Sequence, residues 1–148
     1  MGQLRTSPPP PQATELARWD LGTPAELRDL RSSLRAALTR YGLVQGEDLD
    51  EVPHLVVLVA TELATNALRH GRPPTIVTLL AADDCFILDV ADHEVSTVPE
   101  LADIRPLDSG GRGLQLAQSV SLAVGWYGTA DTKNIWASFP RRTGPAPA

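Results

Sequence analysis

The chain has 148 residues, a length at which one domain buries a core and two would be cramped. With 43% hydrophobic and 21% charged residues the composition is globular, and a net charge of −5 argues against nonspecific nucleic-acid binding. No apolar run reaches the roughly 18 residues that span a bilayer, the N-terminus lacks a charged-then-apolar leader, and the single cysteine has no disulfide partner in the chain, so a cytoplasmic protein is expected.

Residues 1–13, with Ser7-Pro8-Pro9-Pro10-Pro11, read as a disordered polyproline-like tail. Leu16 to Leu21 then alternates, with Ala17, Trp19 and Leu21 on one face and Arg18 and Asp20 on the other, as in a half-buried strand. Thr23 as N-cap, Pro24 at the first helical position and Glu26 closing a capping box start a helix that ends at Gly42. Leu27, Leu30, Leu34 and Leu38 form its apolar stripe, while Arg28, Arg31 and Arg35 face water. A second helix is expected from near Asp50 through Leu55, Val56, Val59 and Leu63, stopping at Gly71 ahead of Pro73-Pro74.

Thr75 to Leu80, a turn at Asp83-Asp84, and Cys85 to Ala91 read as a hairpin, with Cys85 a small buried hydrophobe. From Asp92 to Arg112, Pro99, Pro106, Ser109 and a glycine cluster break any periodicity, and a loop of this length inside a domain is usually functional or mobile. A short helix is expected over Gly113 to Ser119. A second hairpin follows, Val120 to Tyr127 and Asn134 to Phe139, around Asp131. The domain is therefore expected over 14–141, with a second disordered tail over 142–148.

The second helix carries an energetic oddity. Leu55, Val59, Glu62, Asn66 and His70 fall within a sector of about 80° on its surface, so polar residues continue an apolar stripe. A carboxylate and an amide on a core-directed face need partners, because an unsatisfied buried polar group costs about 1–3 kcal/mol. One explanation is a local side-chain network, with His70 favoured by the dipole at the helix C-terminus. The other is a pocket, in which Asn66 offers an oxygen to Mg²⁺ and Glu62 orients or deprotonates a nucleophile.

Gly110-Gly111-Arg112-Gly113 runs directly into Leu114-Gln115-Leu116-Ala117, which places glycine backbone at a helix N-terminus. Free amides and the helix dipole there favour a phosphate, and Arg112 adds a charge-assisted contact. The GK[ST] ending of a P-loop is absent, and no strand precedes the turn as in a dinucleotide-binding fingerprint.

Taken together, Glu62-Leu63-Ala64-Thr65-Asn66-Ala67-Leu68-Arg69-His70-Gly71 and the later Gly-Gly-Arg-Gly-Leu resemble the GHKL ATPase superfamily. More narrowly, they resemble bacterial anti-sigma-factor serine kinases and their stand-alone ATP-binding relatives, as does the ending Lys133 to Pro140. The resemblance covers roughly residues 14 to 141. It implies an α/β two-layer sandwich of the Bergerat type, with helices on one face of a mixed, mostly antiparallel sheet. It also implies ATP and Mg²⁺, with Glu62 as general base, Asn66 as the metal residue, Asp92 reading adenine, and Gly111 and Gly113 at the phosphates. Gly110, Arg112, Leu114 and His70 complete the implied nucleotide site.

Two departures stand out. The family pattern Asp-x-Gly-x-Gly is here Asp92-His93-Glu94-Val95-Ser96, without either glycine. Asn134 stands where the family often has threonine, with its amide expected to bond the Asp92 carboxylate. The implied activity is serine/threonine phosphorylation of an antagonist protein, with a sigma factor as a second partner. The alternative is a noncatalytic module that sequesters its partner with weak or no nucleotide binding. Monomer and homodimer are both left open by the sequence.

Overall fold

The computed structural model of the chain describes Thr6 and residues 13–41, 48–83, 85–96 and 123–140. The expected glycine turn at 110–113, the short helix over 113–119 and the C-terminal tail lie outside these residues, as does Gly42.

Five strands build one sheet: β1 (Thr14–Leu21), β2 (Thr75–Ala81), β3 (Cys85–Asp92), β4 (Ala123–Gly128) and β5 (Lys133–Pro140). Their spatial order is β1-β2-β3-β5-β4, and every ladder between them is antiparallel. One parallel bridge joins Thr6 to Trp126 on β4. Helices α1 (Leu27–Arg40) and α2 (Asp48–His70) share a single core with one face of this sheet, which is the expected α/β sandwich. Among the described residues no helix is long and apolar enough to cross a membrane.

Local chemistry explains the helix starts and stripes. The turn after Thr23 is tighter than expected, with Pro24–Glu26 a 3-10 turn and the α-helix proper beginning at Leu27. Glu26 reaches back to accept the amides of Gly22 at 2.7 Å and Thr23 at 3.0 Å, which satisfies donors that the helix leaves orphaned. Those two amides hold its carboxyl below the usual carboxylate range. Leu27, Leu30, Leu34 and Leu38 are buried while Arg28, Arg31 and Arg35 are exposed, as the helical spacing requires.

Strand alternation sorts the sheet into two faces. Val77 and Leu79, Phe86, Leu88 and Val90, and Ala137 and Phe139 join the helices in the main core, where the Phe86 and Phe139 rings stack with centroids 5.4 Å apart. Ile87, Cys85 and Trp136 lie on the opposite face in a smaller cluster with Ala82. The central strand β3 is consequently buried along its whole length.

On that opposite face sits a closed polar network. Asp89, 4% exposed, accepts Tyr127 OH at 2.7 Å and Asn134 Nδ2 at 2.8 Å, while Thr132 Oγ1 donates to Asn134 Oδ1 at 2.7 Å. Burial raises the Asp89 carboxyl above its ordinary value, against the lowering effect of these two donors and of Arg18. Burial likewise raises the Tyr127 phenol, helped by the charge of Asp89.

Tyr127→Phe removes one donor from a buried carboxylate and is expected to lower the unfolding free energy by about 1.5–3 kcal/mol, measured by urea titration. The pH response has a definite sign. The native Asp89 carboxyl keeps its proton to higher pH than the unfolded one, so its contribution to stability is complete below the unfolded value and is lost as pH rises through the raised native value. Urea midpoints followed from acid to neutral pH are expected to lose this component in Asp89→Asn.

Candidate functional site

Helix α2 carries its polar stripe from the core to the end of the sheet. Val59 has no exposed surface, Glu62 and Asn66 are half-buried, and His70 is exposed at the last helical position. Asn66 Oδ1 is enclosed and accepts no hydrogen bond. Because such an oxygen costs about 1–3 kcal/mol when left unsatisfied, the local-network explanation of the stripe fails at this atom.

The helix stops where it meets β3. Gly71 N–H donates to Ala67 O at 2.8 Å, closing the last turn. A Cβ on Gly71 would stand 2.6 Å from Asp92 Oδ2 and 2.7 Å from the Ala67 carbonyl oxygen, distances that real side chains do not show. Its φ lies outside the left-handed region, so glycine is needed here for close approach rather than for an unusual backbone. Asp92, the last residue of β3 and 5% exposed, is thereby pressed against the helix end.

The loop beyond Asp92 is held without the family's glycines. Glu94 N–H donates to Asp92 Oδ1 at 2.6 Å, and His93 N–H donates to Arg72 O at 2.9 Å. His93 Nδ1 donates to Pro74 O at 3.0 Å, and Arg72 Nε pairs with Glu94 Oε1 at 3.2 Å. Glu94 also accepts both the hydroxyl and the amide of Ser96, which together with Arg72 holds its carboxyl below the usual carboxylate range. Side chains thus tie residues 93–96 to the turn that follows α2.

Asn134 departs from expectation. Its strand partner is Ala91, and its amide donates to Asp89 on the opposite face, so it does not bond Asp92. The reason is strand parity, since a shift of one residue moves a side chain to the other face. The residue directly across from Asp92 is Lys133, on the face shared with Ala137 and Phe139. Gly110, Gly111, Arg112, Gly113 and Leu114 lie outside the described residues.

Thr75 opens β2 on the face shared with the helices, although no motif marks it. Its strand partner is Leu21 on β1, and the β2–β3 ladder ends at the Ile76–Ala91 pair. Thr75 has no exposed surface, and its Oγ1 has no partner. Counting back in twos from Val77 is the one signal in the sequence that places it on the helix side.

Buried polar atoms are therefore distributed unevenly. Among the described residues, the buried side-chain atoms without partners are Asn66 Oδ1, Thr75 Oγ1 and Trp126 Nε1, borne by α2 or by strand positions facing it, whereas the Asp89 network opposite is satisfied. Each such atom in a native structure calls for an explanation. The available donor set fits a magnesium nucleotide: an amide oxygen suits a hard cation, and a carboxylate at the strand end suits the amino group of a base.

The described residues form an antiparallel sheet with two helices packed on one face, and the second helix ends against the strand-terminal Asp92. The chain belongs to the histidine kinase-like ATPase domain family, whose model matches residues 22–138, and is accordingly an ATP-binding type of domain. No curated protein matches it.

Gly71→Ala is expected to destabilise the fold by about 1–3 kcal/mol, because the backbone carbonyl of Ala67 cannot yield as a flexible side chain would. Gly22→Ala serves as the control, since the nearest atom to its added Cβ is 3.6 Å away. Denaturant unfolding of both variants checks the difference.

Proposed function

We propose that the chain is a serine/threonine protein kinase of the anti-sigma-factor type, a partner-switching regulator that binds ATP with Mg²⁺ and phosphorylates a serine of an antagonist protein. The observation that carries this reading is the enclosed, unpartnered Oδ1 of Asn66 on α2, five residues before the Gly71 that abuts Asp92. An amide oxygen held in that state is a metal ligand in waiting. Neutralising phosphate charge is the chemistry Mg²⁺ supplies when bound.

Glu62 lies one turn further back on the same stripe and takes the proton of the attacking serine hydroxyl. The serine oxygen bonds to the γ-phosphorus as the bond to the ADP oxygen breaks, a reaction that depends chiefly on positioning and charge stabilisation. Asp92 accepts the amino group of adenine. Gly110 to Gly113 with Arg112 and Leu114 cradle the phosphates, and His70 lines the rim at the exposed end of α2. A sigma factor is the second protein partner in this scheme.

One observation favours the noncatalytic alternative. Glu94 N–H already occupies Asp92 Oδ1, so the protein itself uses one acceptor that the base would otherwise meet.

Thermal unfolding with ATP and Mg²⁺ separates the two readings. Nucleotide at about 100 times its dissociation constant stabilises the native state by roughly 2.7 kcal/mol, so the kinase reading expects a clear rise in Tm. The rise is expected to survive Glu62→Ala, with phosphoryl transfer lost, and to lose its Mg²⁺ dependence in Asn66→Ala. No shift at millimolar nucleotide would leave the noncatalytic module as the function. Normal transfer by Glu62→Ala would remove Glu62 from its role as base.

A further inference from the structure

We propose that the helix-free face of the sheet is a docking surface for the chain's own proline-rich segment, Ser7-Pro8-Pro9-Pro10-Pro11-Gln12, which rests on Trp136 and Tyr127. The assignment is independent of the nucleotide reading.

This face is apolar where an open sheet would be polar. Cys85, Ile87 and Trp136 cluster there with Ala82, and Leu80 and Tyr127 pack against them. An antiparallel sheet with one solvated side alternates polar residues outward, yet β3 is mostly apolar and buried along its length, the pattern of a strand covered on both sides. Both helices belong to the core on the other face. Ile87 nevertheless has no exposed surface, and Cys85 and Trp136 keep only 8% and 6%. Among the described residues, the one member of this cluster from outside the sheet and its hairpin is Ala13, which immediately precedes β1.

Two described contacts place the ends of the segment. Thr6 makes its parallel bridge to Trp126 on β4, one margin of the sheet, and Ala13 leads into β1, the other margin. From Thr6 to β1 the sheet measures five strand spacings, about 24 Å. The chain from Thr6 to Thr14 spans about 25 Å in polyproline conformation and at most about 29 Å fully extended. That slack is too small for a detour round the helices, so the direct route lies over the helix-free face. Four consecutive prolines supply the extended conformation that the span requires.

The aromatic side chains suit this occupant. A Cβ on Gly125 would meet Trp136 Cζ2 and Nε1 at 3.0 Å, so the indole lies across β4 beside the residue that bridges Thr6. Tyr127 has its hydroxyl tied to Asp89, which fixes its ring on the same face. Fixed aromatic rings of this kind are what polyproline segments dock against.

Cys85, the only cysteine of the chain, lies buried in the cluster and reports on its cover. The test follows the rate at which a thiol reagent modifies Cys85 in the full chain, for wild type and for one variant carrying Pro8→Gly, Pro9→Gly, Pro10→Gly and Pro11→Gly. The variant is expected to react about tenfold faster, with little dependence on urea below the unfolding transition, because the segment is released locally. An unchanged rate overturns the proposal, as does a faster rate that climbs with urea as steeply as global unfolding. A wild-type rate that falls as protein concentration rises overturns it too, since a second copy of the chain then covers the face.

Discussion

The structure depends on the contact between the end of α2 and the Asp92 carboxylate. Gly71 has no room for a Cβ against that carboxylate, so the helix terminus rests directly on the end of β3. This one contact fixes how far along the sheet the helix reaches, and hence where Asn66 and Glu62 stand relative to the strand ends. The apolar positions of α2 would hold the helix on the sheet, but they are tolerant of small slides. A carboxylate against a bare backbone is not.

The two faces of the sheet show what satisfied and unsatisfied polar burial mean in one molecule. On the face away from the helices, Asp89 has a donor for each carboxylate oxygen, and Asn134 is itself oriented by Thr132. Closed networks of this kind rigidify a fold. On the helix side, Asn66 Oδ1 and Thr75 Oγ1 have no partner although both are enclosed. An unsatisfied buried polar atom costs stability, in contrast to the satisfied network on the other face.

The loop after Asp92 is held by side chains where the family pattern has glycines. Glycines let backbone pass close to a ligand because they have no side chain. Here Glu94 has one, and it is drawn outward to Arg72 and Ser96, leaving its own N–H turned toward Asp92. An exposed ion pair contributes little stability by itself, so its role is better described as orientation.

Much of this protein is legible from residue order. Both helices, both hairpins and the first strand follow from local periodicity, because burying one face of a helix or strand imposes a spacing of 3.6 or 2 on the chain. The Glu62, Asn66 and His70 stripe follows for the same reason, since three positions on one helix share a face whatever surrounds them. The strand order, the choice of Lys133 rather than Asn134 opposite Asp92, and the pairing of Asn134 with Asp89 were decided by tertiary structure. They depend on register between segments far apart in the chain, where one residue of slip exchanges the two faces, and no local pattern records that choice.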